Sequence, residues 1–509
     1  MSGPSSHGHG TGESRSAAVA VVGGGIAGLS AALELTSAEP GTRVIVLESD
    51  GRLGGKLRTG AIGGRAVDLG PDAFLARRPE AVELCRELGL GDELVSPGSR
   101  RAFVWARGRL RPLPAALALG VPTRIGPLAR SGILSPLGVG RVAFDLVGWP
   151  WRRRLATGGR SDGPDRPGRP QRPDRPVADI TRQRLGREVT ERLVDPLIGG
   201  IHAGDTSSMS AAAVFPALLD AASRPGSLMR ALRPQPATTG RDDEPVFYTV
   251  RGGLSRLIDD LERALVARGV EVRLHTPVED LGLRGPGDQP SPGAPTTRWA
   301  LRTPQGIVGA DAIVIATPTG PAAGLLESVD PAIAALLGTI AYSDVTLVTL
   351  QFPAGGVERS LEGTGFLVPA ETGCLITACT WLTSKWPQLQ RRGDVLLRAS
   401  MGRFGDDRAA HMADDEIVGR VVDELGAMLG LRAPPMEAVV TRWTDAFPQY
   451  AVGHVELVSA IEEGVARMPG LALAGAALHG VGIPACIASG RRAAHAVLGE
   501  QVPAGHALR

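Results

Sequence analysis

From Ala17 to Lys56 the chain reads AAVAVVGGGIAGLSAALELTSAEPGTRVIVLESDGRLGGK. A short apolar run, Ala18 to Val22, leads into Gly23, Gly25 and Gly28 in G-x-G-x-x-G spacing, and a helix-like segment, Leu29 to Ser37, follows. A second β-branched run, Val44 to Leu47, ends on Glu48 and Ser49, about 20 residues past the last glycine, where a dinucleotide site needs an acid for the ribose hydroxyls. The order strand, turn, helix, strand is a βαβ unit. Its first glycine permits a tight turn, the second lets the backbone approach a pyrophosphate, and the third lets helix and strand pack closely. Gly23 to Gly28, with Gly24, Ile26 and Ala27 between, therefore offer phosphate a helix N-terminus.

A chain of 509 residues is long enough for two to four domains, some of them discontinuous. Aromatic residues make up only 4%, so the core must lean on Ala, Val, Leu and Ile. A net charge of +2 argues against nucleic acid as the main partner. Lysine occurs only at Lys56 and Lys385; the other basic residues are arginines. Cys85, Cys374, Cys379 and Cys486 lack C-x-x-C spacing, which disfavours a disulfide frame or a zinc site and fits a reducing cytoplasm. The first 16 residues have no apolar segment and read as a disordered tail rather than a secretory signal. No run reaches the length of a spanning helix; the nearest, Gly132 to Trp151, is interrupted by Arg141 and Asp145 and reads as a core or interfacial helix.

Further along, Thr59 to Leu69 alternates as a hairpin, Gly70-Pro71-Asp72 turns the chain, and Pro79 opens a helix ending near Gly89. Arg77 and Arg78 read either as a solvated helix entry or as binders of a substrate carboxylate. Arg101 to Pro114 suggests a strand pair turning at Arg107-Gly108. The stretch 152–178, rich in Arg, Pro, Asp and Gly, has almost nothing to bury and reads as a disordered insertion, and a second mobile segment is expected at 233–244. Helical periodicity resumes from Ile180 to Val194 and again, capped by Thr206 to Ser208, from Ala211 to Ala221. Val278 falls where a returning strand could touch the adenine end of a dinucleotide. Ile313 to Thr317 reads as a buried parallel strand, and Val345 to Phe352 as a strand of a second sheet. Phe366 to Trp381 reads as a hairpin turning at Glu371 to Gly373, and Ala413 to Leu429 as a helix. Near the end another strand meets Gly475, a glycine loop through Val481, Gly482 and Ile483, and a helix starting near Pro484. A second helix N-terminus is thereby offered to a cofactor.

Arg52, Gly54 and Gly55 form R-x-G-G soon after Glu48, an arrangement that resembles flavoproteins of the amine oxidase superfamily and implies FAD as the cofactor. GGIHAGDTSSMS, CLITACTWLTSKWP, RWTDAFPQYAVGH and HGVGIPACI narrow the resemblance to the oxygen-dependent coproporphyrinogen and protoporphyrinogen oxidases. That resemblance implies an α/β with α+β fold: a discontinuous Rossmann-like FAD domain (17–92, 243–319 and 437–509), a mixed-sheet substrate domain (93–111, 216–242 and 320–436) and an inserted helical domain (112–215). In membrane-bound relatives the helical domain rests on the bilayer; here it carries no strong apolar anchor, which favours a soluble form.

The cofactor positions implied are Gly23 to Gly28, Glu48, Ser49, the Gly54-Gly55-Lys56 loop and Gly70, Pro71, Asp72 and Ala73. Val278, Trp443, Gly475 and Val481 to Ile483 complete them. The implied reaction is a six-electron oxidation of a porphyrinogen by O2 with release of hydrogen peroxide, and a ferrochelatase is an implied acceptor of the product. Arg77, Arg78 and Lys385 are candidate partners for substrate carboxylates. Two positions depart from the family: Ala485 stands where an acid is common, and Asp72 where many protoporphyrinogen enzymes place an arginine. The second departure suits the coproporphyrinogen branch. His202, in the tight GGIHAGD loop, is the candidate proton acceptor, with a hydrogen-bonded structural role as its alternative. Amine oxidases and carotenoid desaturases share the ends of the chain but not its middle motifs, and a flavin-free carrier of the same fold would not need both glycine loops intact.

Overall fold

The computed structural model describes residues 17–146, 173–233, 245–283 and 297–499. The expected tail, the second mobile segment after Arg233 and most of the Arg/Pro-rich insertion lie outside the described residues. The last part of that insertion, 173–178, is folded, correcting the expectation of disorder there. Pro176 bridges to Ser210, and Asp174 accepts N–H bonds from Ala212 (3.0 Å) and Gly453 (3.0 Å).

The opening run becomes the centre of a five-stranded parallel sheet, in the order Glu271–Arg273, Arg43–Leu47, Ala18–Val22, Ala312–Ile315 and Leu471–Leu473. Helices cover both faces of such a sheet, which is why its strands are continuous apolar runs rather than alternating ones. On one face the helix Ile26–Ala38 is buried along most of its length. It lies against the last helix, Ile483–Leu498, at Gly490, where an added Cβ would come within 2.0 Å of the Ala27 carbonyl oxygen. On the other face, helices Thr319–Leu326 and Pro331–Gly338 pack Leu326, Ile333 and Leu337 onto Val22, Ile45 and Ile313.

A seven-stranded mixed sheet forms the second body, ordered Glu437–Pro448, Tyr342–Phe352, Val395–Met401, Ile376–Trp381, Gly365–Leu367, Phe103–Ala106 and Arg109–Pro112. The last two strands turn through Arg107 (φ 55°) and Gly108 (φ 71°). Two successive left-handed residues twist a hairpin in the direction its strands require.

The third body is helical. Ile125–Ser131, Pro136–Leu146, Val177–Leu185 and Pro216–Ser223 surround Leu128, Val142, Ile180, Leu193 and Leu218. The periodic stretch from Ile180 is broken at Gly186 (φ 97°) and then widens into a π-helix, Thr190–Gly199, with Pro196 inside it. The stretch Ala211 to Ala221 is likewise two helices, because Pro216 has no N–H to carry the ladder past Phe215.

Three expected boundaries move. Strand Glu437–Pro448 pairs along Tyr342–Phe352 and so belongs to the large sheet, not the dinucleotide-binding part. The helices between 319 and 338 pack on the parallel sheet, and those between 216 and 231 on the helical body. No helix among the described residues is long and apolar enough to cross a membrane.

Candidate active site

One cavity of about 830 Å³ is lined by all three bodies. At one end Glu48 leaves its strand with both carboxylate oxygens engaged: Oε2 accepts the Gly24 N–H (2.6 Å) and Oε1 the Asp50 N–H (2.8 Å). Gly23, Gly25, Ile26, Ala27, Ser49, Gly54 and Gly55 line the wall around it. A Cβ on Gly25 would meet nothing within 4 Å, so this glycine leaves room at the helix N-terminus. Gly28 does not line the cavity. Its Cβ position lies 2.0 Å from the Gly23 carbonyl oxygen, so it permits close packing of helix and strand.

The second glycine loop faces the same space. Gly475 (φ 133°) donates its N–H to Ser489 Oγ at 3.0 Å, and a Cβ on it would also meet nothing within 4 Å. The helices Ile26–Ala38 and Ile483–Leu498 begin on Gly25 and Gly482, without a side-chain cap and without an acid in the first turn. Both therefore keep N–H groups and positive dipole ends for an anion. Val278 lines the wall beyond Glu48, on the loop after Glu271–Arg273 rather than on a strand. Gly482 sits behind the wall as the helix N-cap.

In the middle, Lys56 Nζ donates to the carbonyls of Asp445 (2.5 Å) and Ala446 (2.7 Å), tying the first glycine-rich loop to the large sheet. Burial lowers its pKa. Asp445 adopts a left-handed φ of 49° there, turning its carbonyl within reach of Lys56. Trp443 Nε1 donates to the Leu69 carbonyl (2.8 Å), and Gly70, Pro71 and Trp443 line the wall.

Asp72 and Ala73 do not line it. Asp72 is the anion of a buried cluster, 2.9 Å from Lys385 Nζ, 3.1 Å from Arg398 Nη2 and 2.9 Å from Trp386 Nε1. Burial alone would push its carboxyl up, but Lys385 and Arg398 more than reverse this and hold it far below the usual range. Lys385 is thus spent on Asp72 and lies outside the cavity lining. Arg77 is exposed and Arg78 caps the helix Pro79–Glu87, both outside the lining as well. These three candidates for substrate carboxylates do not come together. Arg398 does reach the wall: Nη1 donates to the Asp68 and Gly70 carbonyls (3.0 Å each), and its buried Nε has no partner among the described residues. An orphaned donor beside Gly70 and Pro71 fits a ligand with an acceptor atom there.

The far end is built by the π-helix (Asp195, Pro196, Gly199) facing apolar side chains of the large sheet, Val345, Leu347 and Ile376. π-helical segments are rare and frequently lie at functional sites. Arg403, Asp406 and Arg408 close it. His202 is not in the lining. Its Nδ1 is buried without a partner among the described residues, and desolvation lowers its pKa to about 4, so it is neutral at pH 7. His454 stacks on Tyr450 with ring centroids 4.0 Å apart, and His479 lies 2.6 Å from Glu462, so neither serves the cavity.

Open glycine cradles, two uncapped helix N-termini and the orphaned Arg398 donor suit a flavin dinucleotide. The chain belongs to the flavin-containing amine oxidoreductase family, whose match spans residues 26–498, and it is a flavin-dependent oxidoreductase. Within that family it is 32% identical over 488 residues to the Bacillus subtilis (strain 168) protein named coproporphyrinogen III oxidase, covering 93% of this chain and 96% of that one. Identity to the Macaca fascicularis protein named protoporphyrinogen oxidase is 28%, over 95% and 98% of the two chains. A crystal structure from Exiguobacterium sp. 255-15 matches with a TM-score of 0.79 at 31% identity, covering 96% of this chain and 100% of that one.

Proposed function

We propose that the protein oxidises coproporphyrinogen III to coproporphyrin III in the cytoplasm, with FAD as cofactor and O2 as terminal oxidant. Hydrogen peroxide is the by-product, and a ferrochelatase takes the porphyrin onward in haem biosynthesis. The observation that carries this reading is one continuous cavity running from the Glu48 end to an apolar chamber closed by arginines.

The residues divide the work by position. Glu48 would hold the ribose hydroxyls of the dinucleotide, the helix starts at Gly25 and Gly482 its pyrophosphate, and Val278 its adenine. The flavin, when bound, supplies the two-electron acceptor chemistry and the reaction with oxygen. Lys56 holds the loop and the sheet edge at a set separation, so the macrocycle meets the cofactor in one geometry. Val345, Leu347 and Ile376 exclude water from one face of the substrate. No protein base is assigned: neutral His202 lies outside the lining, and the macrocycle can tautomerise once its first meso carbon is oxidised.

Protoporphyrinogen IX is the second reading. Asp72 favours the first, because the position where an arginine would meet a carboxylate holds an acid sealed in ion pairs. An aerobic comparison of the two porphyrinogens, followed by porphyrin fluorescence, should give the higher kcat/KM with coproporphyrinogen III. A higher value with protoporphyrinogen IX would overturn the choice. Acid-released cofactor should chromatograph as FAD.

A further inference from the structure

The far end of the cavity holds two arginine–acid pairs of different character. Arg408 is largely committed: Nε and Nη2 meet the Asp406 carboxylate (2.8 Å each), while Nη1 and Nη2 donate to the carbonyls of Gly373 (3.3 Å) and Cys374 (3.0 Å). Arg398 spends Nη1 on the Asp68 and Gly70 carbonyls and Nη2 on Asp72, and sits buried in the Asp72 cluster. Arg403 makes one side-chain bond among the described residues, Nη1 to Asp195 Oδ2 at 3.1 Å, and the rest of its guanidinium fork is unspent there. Its partner is anchored independently of it: Asp195 Oδ1 accepts from Thr206 Oγ1 (2.8 Å) and more weakly from Thr206 N (3.4 Å).

The pair also spans two bodies. Asp195 belongs to the π-helix, and Arg403 to a tight turn after strand Val395–Met401, where the Phe404 N–H donates to the Ala203 carbonyl at 2.8 Å. We propose that Arg403 is the substrate-carboxylate residue of this site, and that it binds by exchange: an incoming propionate takes the fork while Asp195 stays anchored to Thr206 through its other oxygen. A carboxylate can occupy two N–H groups of the fork where Asp195 occupies one, so the exchange gains a bidentate contact. This rests on the proposed porphyrinogen reading, and it names how the site recognises that substrate.

The test is binding of the product to the flavin-loaded protein, by fluorescence titration with coproporphyrin III and with its tetramethyl ester, which keeps the macrocycle and lacks the carboxylates. Arg403→Gln should raise the Kd for coproporphyrin III about tenfold or more and leave the ester nearly unchanged. Arg403→Lys should recover part of the loss, and Asp195→Asn should bind coproporphyrin III as tightly as the wild type or tighter. Flavin content is measured in parallel. Equal losses for acid and ester, or Asp195→Asn behaving like Arg403→Gln, would overturn the exchange, because the pair would then only hold the two bodies together. If the wild type failed to oxidise coproporphyrinogen III while the acid-specific loss persisted, the proposed reaction would fall and the Arg403 assignment would stand.

Discussion

Asp68 and His202 have opposite protonation preferences over overlapping pH ranges. Asp68 is 7% exposed, and burial, only partly offset by the Thr59 hydroxyl and the Leu254 N–H, pushes its carboxyl up to about 6. From about pH 4 to 6 the folded state keeps a proton that the unfolded chain has released, so this group makes folding less favourable as pH rises through that window. His202 is the reverse. Between about pH 4 and 6.5 the unfolded chain binds a proton that the folded state refuses, so its contribution is full above the window and lost as pH falls. The two slopes oppose one another in the wild type. Denaturant midpoints measured from pH 4 to 7 should rise with pH in Asp68→Asn and fall in His202→Gln. The swing assigned to Asp68 is about 3 kcal/mol; parallel profiles for all three proteins would contradict the pairing. Asp72→Asn acts differently, leaving Lys385 and Arg398 buried without their anion. It should cost about 3–5 kcal/mol in denaturant unfolding.

Among the elements, the contact between helices Ile26–Ala38 and Ile483–Leu498 sets where their uncapped ends point. Gly490→Ala would place a methyl 2.0 Å from a backbone carbonyl that cannot swing aside. Overpacking of this kind costs about 1–3 kcal/mol, and the helix ends should splay enough to lower the flavin-to-protein absorbance ratio of purified protein. Full flavin occupancy at an unchanged melting temperature would argue against this role. The first of these helices was legible because its signals are local: three glycines, an apolar run on each side and Glu48 fall within one unit. Strand Glu437–Pro448 was visible as an element, yet its pattern does not say which sheet it joins. The helical periodicity read from Ile180 to Val194 reached the first half of the π-helix, but the wider winding itself and its continuation through Pro196 to Gly199 leave no local mark. The cluster around Asp72 was out of reach for another reason. Lys385 is 313 residues away from it, and an isolated lysine in CLITACTWLTSKWP carries no hint of its partner. Arg403 could have been noticed from the glycines on either side of it in MGRFGDDR, which mark a turn between a strand and an acidic pair.

At the scale of the molecule, the parallel sheet, the large sheet and the helical body meet around one cavity, so a ligand there contacts every body at once. Removing the flavin should therefore loosen the whole chain rather than one loop. Binding at a thousandfold excess over Kd is worth about 4 kcal/mol, so the stripped protein should melt lower and be digested faster, and added FAD should restore both. A melting temperature indifferent to FAD would contradict this.

Surface charge bears on a further property of the folded chain. Its two lysines, of 55 basic residues, both point inward, Lys56 hooked to the carbonyls of Asp445 and Ala446 and Lys385 to the carboxylate of Asp72. An amine-acylating reagent consequently finds neither lysine amine free while the protein stays closed. Each acyl group on a lysine reports a moment when the Lys56 loop or the Asp72 cluster came apart. The slow gain of lysine-borne mass under such a reagent is thus a clock for local opening at the two places where a lysine ties the stretch from Lys56 to Asp72 to the large sheet and to the segment after its strand Ile376–Trp381.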